Sequence, residues 1–159
     1  MLDLLPDLCD AHGDQLHWLE APLQDWGGKA LFFGQVVTVK CFEDNSRVKE
    51  LLATPGQGKV LVVDGGGSTR QALMGDLIAK SAVDNGWAGV VIFGAIRDAG
   101  EIATLALGVK ALGVTPFRTE RKGLGETGIA LRLGGVNIRP GMWLYADKNG
   151  VVLSDNPIH

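Results

Sequence analysis

Two short apolar runs occupy the middle of the chain, and a segment with helical spacing lies between them. Residues 59–64 and 89–96 are rich in Val and Ile and carry charge only at the ends of the first run, which is typical of strands buried on both faces. In residues 77–85 apolar side chains recur at helical spacing, with Asp76 at the N-cap position and Gly86 at the end. The pattern therefore predicts a strand, loop, helix, strand unit whose two strands are parallel.

The flanking segments predict further elements of both kinds. The spacing of apolar residues and turn residues indicates helices at residues 3–18, 47–53 and 102–112, a strand at 30–40, and several short strands with turns at 129–153. A polar loop that contains glycine is predicted over residues 120–128. The fold class that follows is α/β, with an antiparallel C-terminal part.

Composition narrows the class of protein without identifying a chemistry. The 159 residues are 46% hydrophobic and 21% charged, which is enough to bury one core, so we expect a single domain over residues 1–159. A formal net charge of −3 gives no broad basic surface, which disfavours direct binding of nucleic acid. The first residues lack the basic flank of a secretory signal, and no segment is long enough to cross a membrane. We therefore expect a cytoplasmic protein without membrane contact.

The predicted unit brings several polar residues to one edge of the sheet. The end of the first strand, the start of the helix and the end of the second strand share that edge, so Asp64, Gly75–Asp76 and Arg97–Asp98 are expected to converge. On a purely structural interpretation, Arg97 and Asp98 form ordinary ion pairs at the strand end and Asp76 is only an N-cap.

A chemical interpretation treats the same residues as a ligand site. A helix that begins Gly75-Asp76-Leu77-Ile78 offers unsatisfied N–H groups to an anion such as a small carboxylate. Two aspartates can hold a hard divalent cation directly or through water, and Arg97 supplies a forked donor for a carboxylate or enolate oxygen. These groups suffice for enolate chemistry on a 2-oxo acid.

The spacing of these residues resembles a family signature. Asp76, twenty intervening residues and then Arg97–Asp98 look like the Asp-X20-Arg-Asp motif of the 4-hydroxy-4-methyl-2-oxoglutarate aldolases, metal-dependent pyruvate aldolases that also decarboxylate oxaloacetate. Residues 36–45, 60–67 and 145–147 look like the regulator of ribonuclease activity (RraA) branch of this RraA-like family. The resemblance spans nearly the whole chain.

This resemblance implies a fold, an assembly and roles for individual residues. Members of the family have the swivelling β/β/α fold and usually assemble as trimers with sites between subunits. By that likeness Asp98 would bind a magnesium or manganese ion, and Arg97 would contact the keto or carboxylate oxygen of the substrate. The backbone amides of residues 75–78 would receive the pyruvate carboxylate, and Asp76 would order metal-bound water and the proton transfer to the enolate.

The function that the resemblance implies is a divalent-metal-dependent lyase. It would cleave 4-hydroxy-4-methyl-2-oxoglutarate or 4-carboxy-4-hydroxy-2-oxoadipate to pyruvate and would decarboxylate oxaloacetate, in each case through a pyruvate enolate. The alternative is a regulatory protein that binds and inhibits ribonuclease E or an associated helicase, as proteins of the RraA branch do. A third alternative is a sugar-acid or oxo-acid binding protein on the same scaffold, because a fold does not fix a function.

Overall fold

A computed structural model describes residues 1–158 and shows helices and strands in alternation. Its helices are α1 (Leu5–His12), α2 (Ser46–Leu52), α3 (Asp76–Asp84) and α4 (Ala99–Ile102), and a 3₁₀ turn follows α1 at Gly13–Gln15. Its strands are β1 (His17–Trp18), β2 (Gln24–Asp25), β3 (Phe32–Lys40), β4 (Lys59–Asp64), β5 (Ala72–Met74), β6 (Gly89–Ile96), β7 (Gly108–Val114), β8 (Glu126–Thr127), β9 (Leu131–Leu133), β10 (Val136–Ile138), β11 (Trp143–Asp147) and β12 (Gly150–Ser154).

One mixed sheet organises the molecule. In the described part of the chain its strand order is β1-β12-β11-β3-β4-β6-β7-β2, with β5 beside β6 and β8 beside β3. The centre is parallel, because β3 pairs with β4, β4 with β6 and β6 with β7 in the same direction. The predicted strand, loop, helix, strand unit is confirmed as β4, α3 and β6. The carboxyl ends of the parallel strands therefore lie at one edge of the sheet.

Strand β4 separates the two halves of the core. Its residues Val60, Leu61, Val62 and Val63 are fully buried, as predicted for a strand covered on both faces. Leu61 and Val63 pack in the cluster that includes apolar residues of α2 and α3, whereas Val60 and Val62 pack with residues of β6, β11 and β12. Each of these side chains contributes about 1.5–3 kcal/mol by leaving water, so the site edge rests on a rigid layer.

The C-terminal part is antiparallel, as predicted. Strands β9 and β10 form a hairpin of their own, and β11 pairs antiparallel with both β12 and β3. The turn of the β9–β10 hairpin uses Gly134 and Gly135 at φ of 51° and 79°. Residues with a Cβ rarely adopt this left-handed region, so glycine is favoured at both positions.

The predicted helix over residues 102–112 is wrong. Helix α4 already ends at Ile102, and strand β7 begins at Gly108. Leu107, Val109 and Ala111, two residues apart, all pack in the core cluster that contains residues of α3, as expected for one face of a strand and not for a helix. The strand places a further loop at the carboxyl edge of the sheet, beside the loop that follows β6.

The N-terminal helix is shorter than predicted. It was expected over residues 3–18, but α1 ends at His12, and the chain then extends so that His17 and Trp18 pair with β12. The backbone of a strand at the sheet edge satisfies its hydrogen bonds through that pairing. No helix within residues 1–158 has the length and apolar character needed to span a membrane.

Candidate active site at the carboxyl edge of the parallel strands

A cavity of about 520 Å³ opens at the carboxyl edge of the sheet. Its wall comes from the start of α2, the junction of β5 and α3, the turn after β6 and the loop after β7. The residues that line it are Asn45, Gln71, Ala72, Gly75, Asp76, Leu77, Ile78, Arg97, Asp98, Arg118, Thr119, Glu120 and Arg121. All the site residues that the sequence predicted thus lie in one cavity, and their chemical roles stay predictions.

Asp64 is an exception to the expected convergence. It ends β4 at the same edge of the sheet but does not line the cavity. Its carboxylate Oδ1 accepts a hydrogen bond from the N–H of Gly66 at 2.9 Å. Asp64 therefore closes the glycine turn after β4, a local structural role that leaves it outside the site.

The N-terminus of α3 supplies free backbone donors. Gly75 is the N-cap and Asp76 is the first helical residue, so the prediction of Asp76 as N-cap is wrong. The first hydrogen bond inside the helix runs from the N–H of Ala79 to the carbonyl of Gly75 at 3.0 Å. The N–H groups of Leu77 and Ile78 precede it and have no partner within the helix, so they can bind an anion from the cavity.

Gly75 allows the groups of the site to approach closely. A Cβ at this position would lie 2.7 Å from Oδ2 of Asp98 and 3.3 Å from Nε of Arg97. The same Asp98 Oδ2 accepts a hydrogen bond from the N–H of Asp76 at 2.9 Å. A larger residue at Gly75 would therefore push apart the aspartate and arginine that the cavity brings together.

Asp98 has an unusual backbone conformation that directs its carboxylate. Its φ of 57° and ψ of 42° are left-handed, and its carbonyl accepts the N–H of Ile102, the last residue of α4. Aspartate tolerates this region better than most residues, yet such strain concentrates at functional sites. Oδ2 is bonded to Asp76, whereas Oδ1 has no hydrogen-bond partner within residues 1–158. One carboxylate oxygen is thus left for a ligand.

Arg97 is held in place through its backbone. Its N–H donates to the carbonyl of Met74 at 3.0 Å, and its side chain is half-buried beside Gly75. In the described residues its guanidinium forms no ion pair, although Asp98 is the next residue. The ion-pair interpretation of Arg97 and Asp98 is therefore not supported. A half-buried arginine without a carboxylate partner is suited to bind an anionic ligand.

The sequence analysis missed the contribution of the loop after β7. Arg118, Thr119, Glu120 and Arg121 line the cavity, but they were assigned to no element or to a polar loop. The error follows from the helix predicted over residues 102–112, because only a strand delivers the next residues to the carboxyl edge of the sheet. The spacing of Leu107, Val109 and Ala111 at every second position was the signal that could have revealed the strand.

Buried polar side chains just before α2 hold this loop against the cavity. Asn45 is 5% exposed, and its Oδ1 accepts hydrogen bonds from Oγ1 of Thr119 at 2.7 Å and Nε of Arg121 at 3.0 Å. The neighbouring Asp44 accepts from both the backbone and the hydroxyl of Ser46 and from the backbone of residues 122 and 124. Burial raises the pKa of Asp44, but these hydrogen bonds outweigh burial and lower the pKa to about 2.

Asp76 and Asp98 are the residues that could hold a divalent cation. Within residues 1–158 no group of three or more His, Cys, Asp or Glu side chains is arranged as a metal cage. Mg2+ is usually bound through one or two carboxylates and keeps several of its waters. Two aspartates in an open cavity fit a magnesium or manganese ion of that kind, whereas zinc prefers nitrogen and sulfur ligands.

The chain is similar to known proteins over nearly its whole length. The RraA-like family model, described as Aldolase/RraA, matches residues 5–153. A protein of Shewanella oneidensis, provisionally named 4-hydroxy-4-methyl-2-oxoglutarate aldolase, is 55% identical over 159 residues, which are 100% of this chain and 97% of that protein. The solved structure of the RNA-processing inhibitor RraA from Thermus thermophilis has a TM-score of 0.95 at 40% identity and covers 100% of this chain and 96% of its own.

A structure from Geobacillus kaustophilus has the same fold. It is described as an S-adenosylmethionine:2-dimethylmenaquinone methyltransferase and has a TM-score of 0.96 at 45% identity, with 98% of this chain and 97% of its own covered. The similarity to both solved structures confirms the α/β fold with an antiparallel C-terminal part, and the family model confirms the resemblance seen in the sequence. The chain therefore belongs to the RraA-like family.

Proposed function

We propose that this protein is a divalent-metal-dependent lyase that cleaves 4-hydroxy-4-methyl-2-oxoglutarate or 4-carboxy-4-hydroxy-2-oxoadipate to pyruvate and decarboxylates oxaloacetate. The name of the Shewanella relative supports an aldolase. Because relatives within the family carry different names and a fold hosts many functions, the site has to carry the argument. The observation that carries it is Arg97, which has no carboxylate partner within residues 1–158 and lies in the same cavity as Asp98 and the free N–H groups of α3.

The cavity can bind the 2-oxo acid end of such a substrate. The N–H groups of Leu77 and Ile78, at the positive end of the α3 dipole, receive the carboxylate. Arg97 then donates to the neighbouring keto oxygen. This arrangement places the donors where negative charge develops when the keto oxygen becomes an enolate oxygen, so they stabilise the transition state more than the substrate.

Bond cleavage follows from that placement. The 4-hydroxyl of the substrate gives its proton to solvent water and becomes a carbonyl, while the C3–C4 bond breaks and its electron pair forms the enolate of pyruvate. A divalent cation held by Asp98 and Asp76 would supply Lewis-acid stabilisation of the enolate oxygen. The half-buried Asp76 moves the proton that C3 of the enolate takes up. In oxaloacetate, cleavage of the corresponding C3–C4 bond releases carbon dioxide in place of a carbonyl product.

The test is release of pyruvate from oxaloacetate and from 4-hydroxy-4-methyl-2-oxoglutarate, coupled to a reductase and corrected for spontaneous decarboxylation. Turnover should require Mg2+ or Mn2+, should stop in EDTA, and should be lost in Asp98→Ala. A matched control is Asp84→Ala at the far end of α3, which is exposed and outside the cavity. Turnover that persists both in EDTA and in Asp98→Ala would rule out the proposed mechanism.

The proposal includes assembly as a homotrimer with sites between subunits. Leu77, on the cavity wall, is 76% exposed, and Phe117, next to Arg118, is 68% exposed. Large apolar side chains that are exposed on the cavity wall and beside it in the sequence are suited to be covered by another subunit. Light scattering at micromolar concentration should give the mass of three chains, and Phe117→Ser should shift the distribution towards monomer. A wild-type mass of one chain would contradict this assembly.

A second proposed function is regulation of RNA decay through binding of ribonuclease E or an associated helicase. It is supported by the similarity to the RNA-processing inhibitor from Thermus thermophilis, which covers the whole chain at 40% identity. The net charge of −3 fits a protein partner better than direct binding of RNA. Purified ribonuclease E and helicase, each immobilised, should retain the protein at micromolar concentration. No association with either would contradict this function and leave the lyase proposal intact.

A further inference from the structure

The side-chain amide of Asn45 has a fixed orientation on the cavity wall. Asn45 is 5% exposed and lies directly before α2. Its Oδ1 accepts Oγ1 of Thr119 at 2.7 Å and Nε of Arg121 at 3.0 Å. Because Nε of an arginine can only donate, the amide atom that it contacts is the oxygen, and the other amide atom is the nitrogen with its two donor hydrogens.

The amide nitrogen of Asn45 has no acceptor in the protein. Within residues 1–158 its Nδ2 forms no hydrogen bond with another residue. In the same part of the chain, no side-chain nitrogen or oxygen is both fully buried and without a partner, so Nδ2 faces open space. Since Asn45 lines the cavity, that space is the cavity. A nearly buried side chain therefore directs an unsatisfied donor at the ligand site.

The structure of α2 does not explain why asparagine is present at this position. Asn45 is the N-cap residue of α2, where an asparagine side chain commonly bonds to N–H groups of the first turn. Here its side chain forms no capping hydrogen bond. The N–H of Ser46 is bonded instead by Oδ1 of Asp44 at 2.9 Å. Polar groups in the interior of proteins usually have partners, so a ligand oxygen in the cavity is the natural acceptor for Nδ2.

The oxygen on C4 of the proposed substrate is suited to be that acceptor. This step rests on the proposed function, in which the N–H groups of α3 bind the carboxylate and Arg97 binds the keto oxygen on C2. The next oxygen along the substrate is on C4. Helix α2 packs against α3, with a hydrogen bond from Oγ of Ser81 to the carbonyl of Leu52 at 3.3 Å. Asn45 and the N-terminus of α3 thus line the same cavity from neighbouring helices.

We propose that Nδ2 of Asn45 donates a hydrogen bond to the oxygen on C4 and thereby favours aldol cleavage over decarboxylation. In aldol cleavage this oxygen gives up its proton, so a donor beside it stabilises the negative charge that develops there. In oxaloacetate C4 is the carboxylate carbon that leaves as carbon dioxide, and its negative charge moves away to the enolate. The same donor then stabilises the substrate more than the transition state.

The first test measures binding with two ligands of the same shape, 4-methoxy-2-oxopentanoate and 4-methyl-2-oxohexanoate. The first has an ether oxygen on C4 where the second has a CH2 group, and neither has a 4-hydroxyl proton to lose, so aldol cleavage is blocked. Titration calorimetry in buffer with Mg2+ should show that wild type prefers the ether by about fivefold, the strength of a neutral hydrogen bond.

Asn45→Asp is the informative variant, because aspartate keeps an oxygen for Thr119 and Arg121 but replaces the donor with an acceptor. Its added charge weakens both ligands alike, so the preference is the quantity to compare, and it should fall to about one. Asn45→Ala removes the donor without adding charge and should give the same result. Asn137→Asp is the matched control, since Asn137 is exposed and lies outside the cavity, and it should keep the preference of wild type.

The second test compares two reactions of the same preparations. Pyruvate release is measured from 4-hydroxy-4-methyl-2-oxoglutarate and from oxaloacetate with Mg2+. The ratio of the two kcat/KM values does not depend on how much of a variant is folded. Asn45→Asp should lower the ratio of cleavage to decarboxylation by about tenfold, since hydrogen bonds to charged groups are among the strong ones. Asn137→Asp should leave the ratio unchanged.

The outcomes separate this inference from the proposed function. Equal affinity of wild type for the two ligands, a preference that survives in Asn45→Asp, or a ratio of kcat/KM values that Asn45→Asp leaves unchanged overturns the inference. A preference for the ether that depends on Asn45 in a protein without turnover would support the contact with the C4 oxygen and contradict the lyase. Turnover in a protein without that preference would do the reverse.

Discussion

Asp147 and Asp98 both follow buried strand residues, yet the chain uses them in opposite ways. Asp147 ends β11 and is fully buried, and its Oδ2 accepts the N–H groups of Leu4 and Leu5 at 2.7 and 2.9 Å. Its Oδ1 accepts the backbone and the side chain of Asn149 at 2.7 and 3.1 Å. Asp98 is exposed in the cavity, and among residues 1–158 its side chain accepts a single hydrogen bond, from the N–H of Asp76.

The difference shows how the chain divides its carboxylates between structure and ligand binding. Every oxygen of Asp147 is occupied by a donor of the protein, so the residue clamps the start of α1 to the sheet and cannot bind anything else. Basic side chains divide in the same way between structure and ligand binding. Lys110 is 3% exposed and contacts the carbonyl of Asp147 at 2.8 Å and Asp25 at 3.1 Å. The guanidinium of Arg97 has no such partners in the part of the chain that the structure describes. A charged side chain that lines a cavity and lacks protein partners for its hydrogen bonds therefore indicates a ligand-binding site.

The largest expected effect is on stability, from Asp147→Ala. Removal of this carboxylate leaves the N–H of Leu5 buried without a partner and frees the start of α1, so the free energy of unfolding should fall by about 3 kcal/mol. Urea unfolding followed by circular dichroism measures it. The control is Asp155→Ala, because Asp155 forms an exposed ion pair with Arg139 and should change stability by less than about 1 kcal/mol. Equal losses in the two variants would contradict the comparison.

Asp98→Asn should give the second largest effect, and it should appear in activity. Asparagine keeps an oxygen for the N–H of Asp76 and tolerates the left-handed backbone, but it removes the charge that a cation needs. We expect kcat/KM for oxaloacetate to fall by about 100-fold, which is about 2.7 kcal/mol of transition-state stabilisation. The urea midpoint should remain close to that of wild type. A large loss of stability would show that Asp98 is structural, as Asp147 is.

The two halves of the cavity differ in how far the sequence predicted them. The half formed by Gly75–Ile78 and Arg97–Asp98 followed from two apolar runs with a helix between them, because parallel strands bring their carboxyl ends together. The half formed by Arg118–Arg121 was missed. Residues 102–112 contain Leu and Ala at spacings that suit a helix as well as a strand, and the parallel pairing of β7 with β6 shows that residues 108–114 are extended.

Local spacing could not predict the fine geometry of the site either. The absence of an ion pair between Arg97 and its neighbours depends on the left-handed backbone of Asp98, which directs the carboxylate to the N–H of Asp76. The bond between Asn45 and Arg121 joins residues 76 positions apart. Contacts of this kind are fixed by tertiary packing, and a single sequence carries no periodic signal for them.

Gly75→Ala should give a smaller effect, and it too should be confined to activity. The φ of −113° suits alanine, but its Cβ would lie 2.7 Å from Oδ2 of Asp98, so that carboxylate must shift. We expect kcat/KM to fall by about tenfold with little change in the urea midpoint. Gly100→Ala is the matched control, since a Cβ there meets no atom within 4 Å. If both variants kept full activity, the close approach at Gly75 would have no role in the site.

The effect confined to the narrowest range of conditions concerns acid stability, which should depend on Asp44 and Asp147, the carboxylates whose oxygens accept hydrogen bonds from the protein. Burial raises the pKa of Asp147, but hydrogen bonds from Leu5, Asn149 and Leu4 outweigh it and hold the pKa below its ordinary value, as happens more strongly at Asp44. A pKa that is lower in the folded chain gives stability that is present above the ordinary value of 3.8 and is lost as the pH falls towards about 2.

The test of this acid dependence compares wild type with Asp44→Asn by urea unfolding at several pH values. Asparagine cannot be protonated in this range, so the advantage of wild type over Asp44→Asn should be constant above pH 5 and should shrink between about pH 4 and pH 2. Gly100→Ala changes no titrating group and should keep a constant offset from wild type throughout. A difference between wild type and Asp44→Asn that does not depend on pH would mean that the hydrogen bonds of Asp44 do not favour its charged form. The hydrogen bonds to Asp44 would then stabilise the fold equally whether its side chain is charged or neutral.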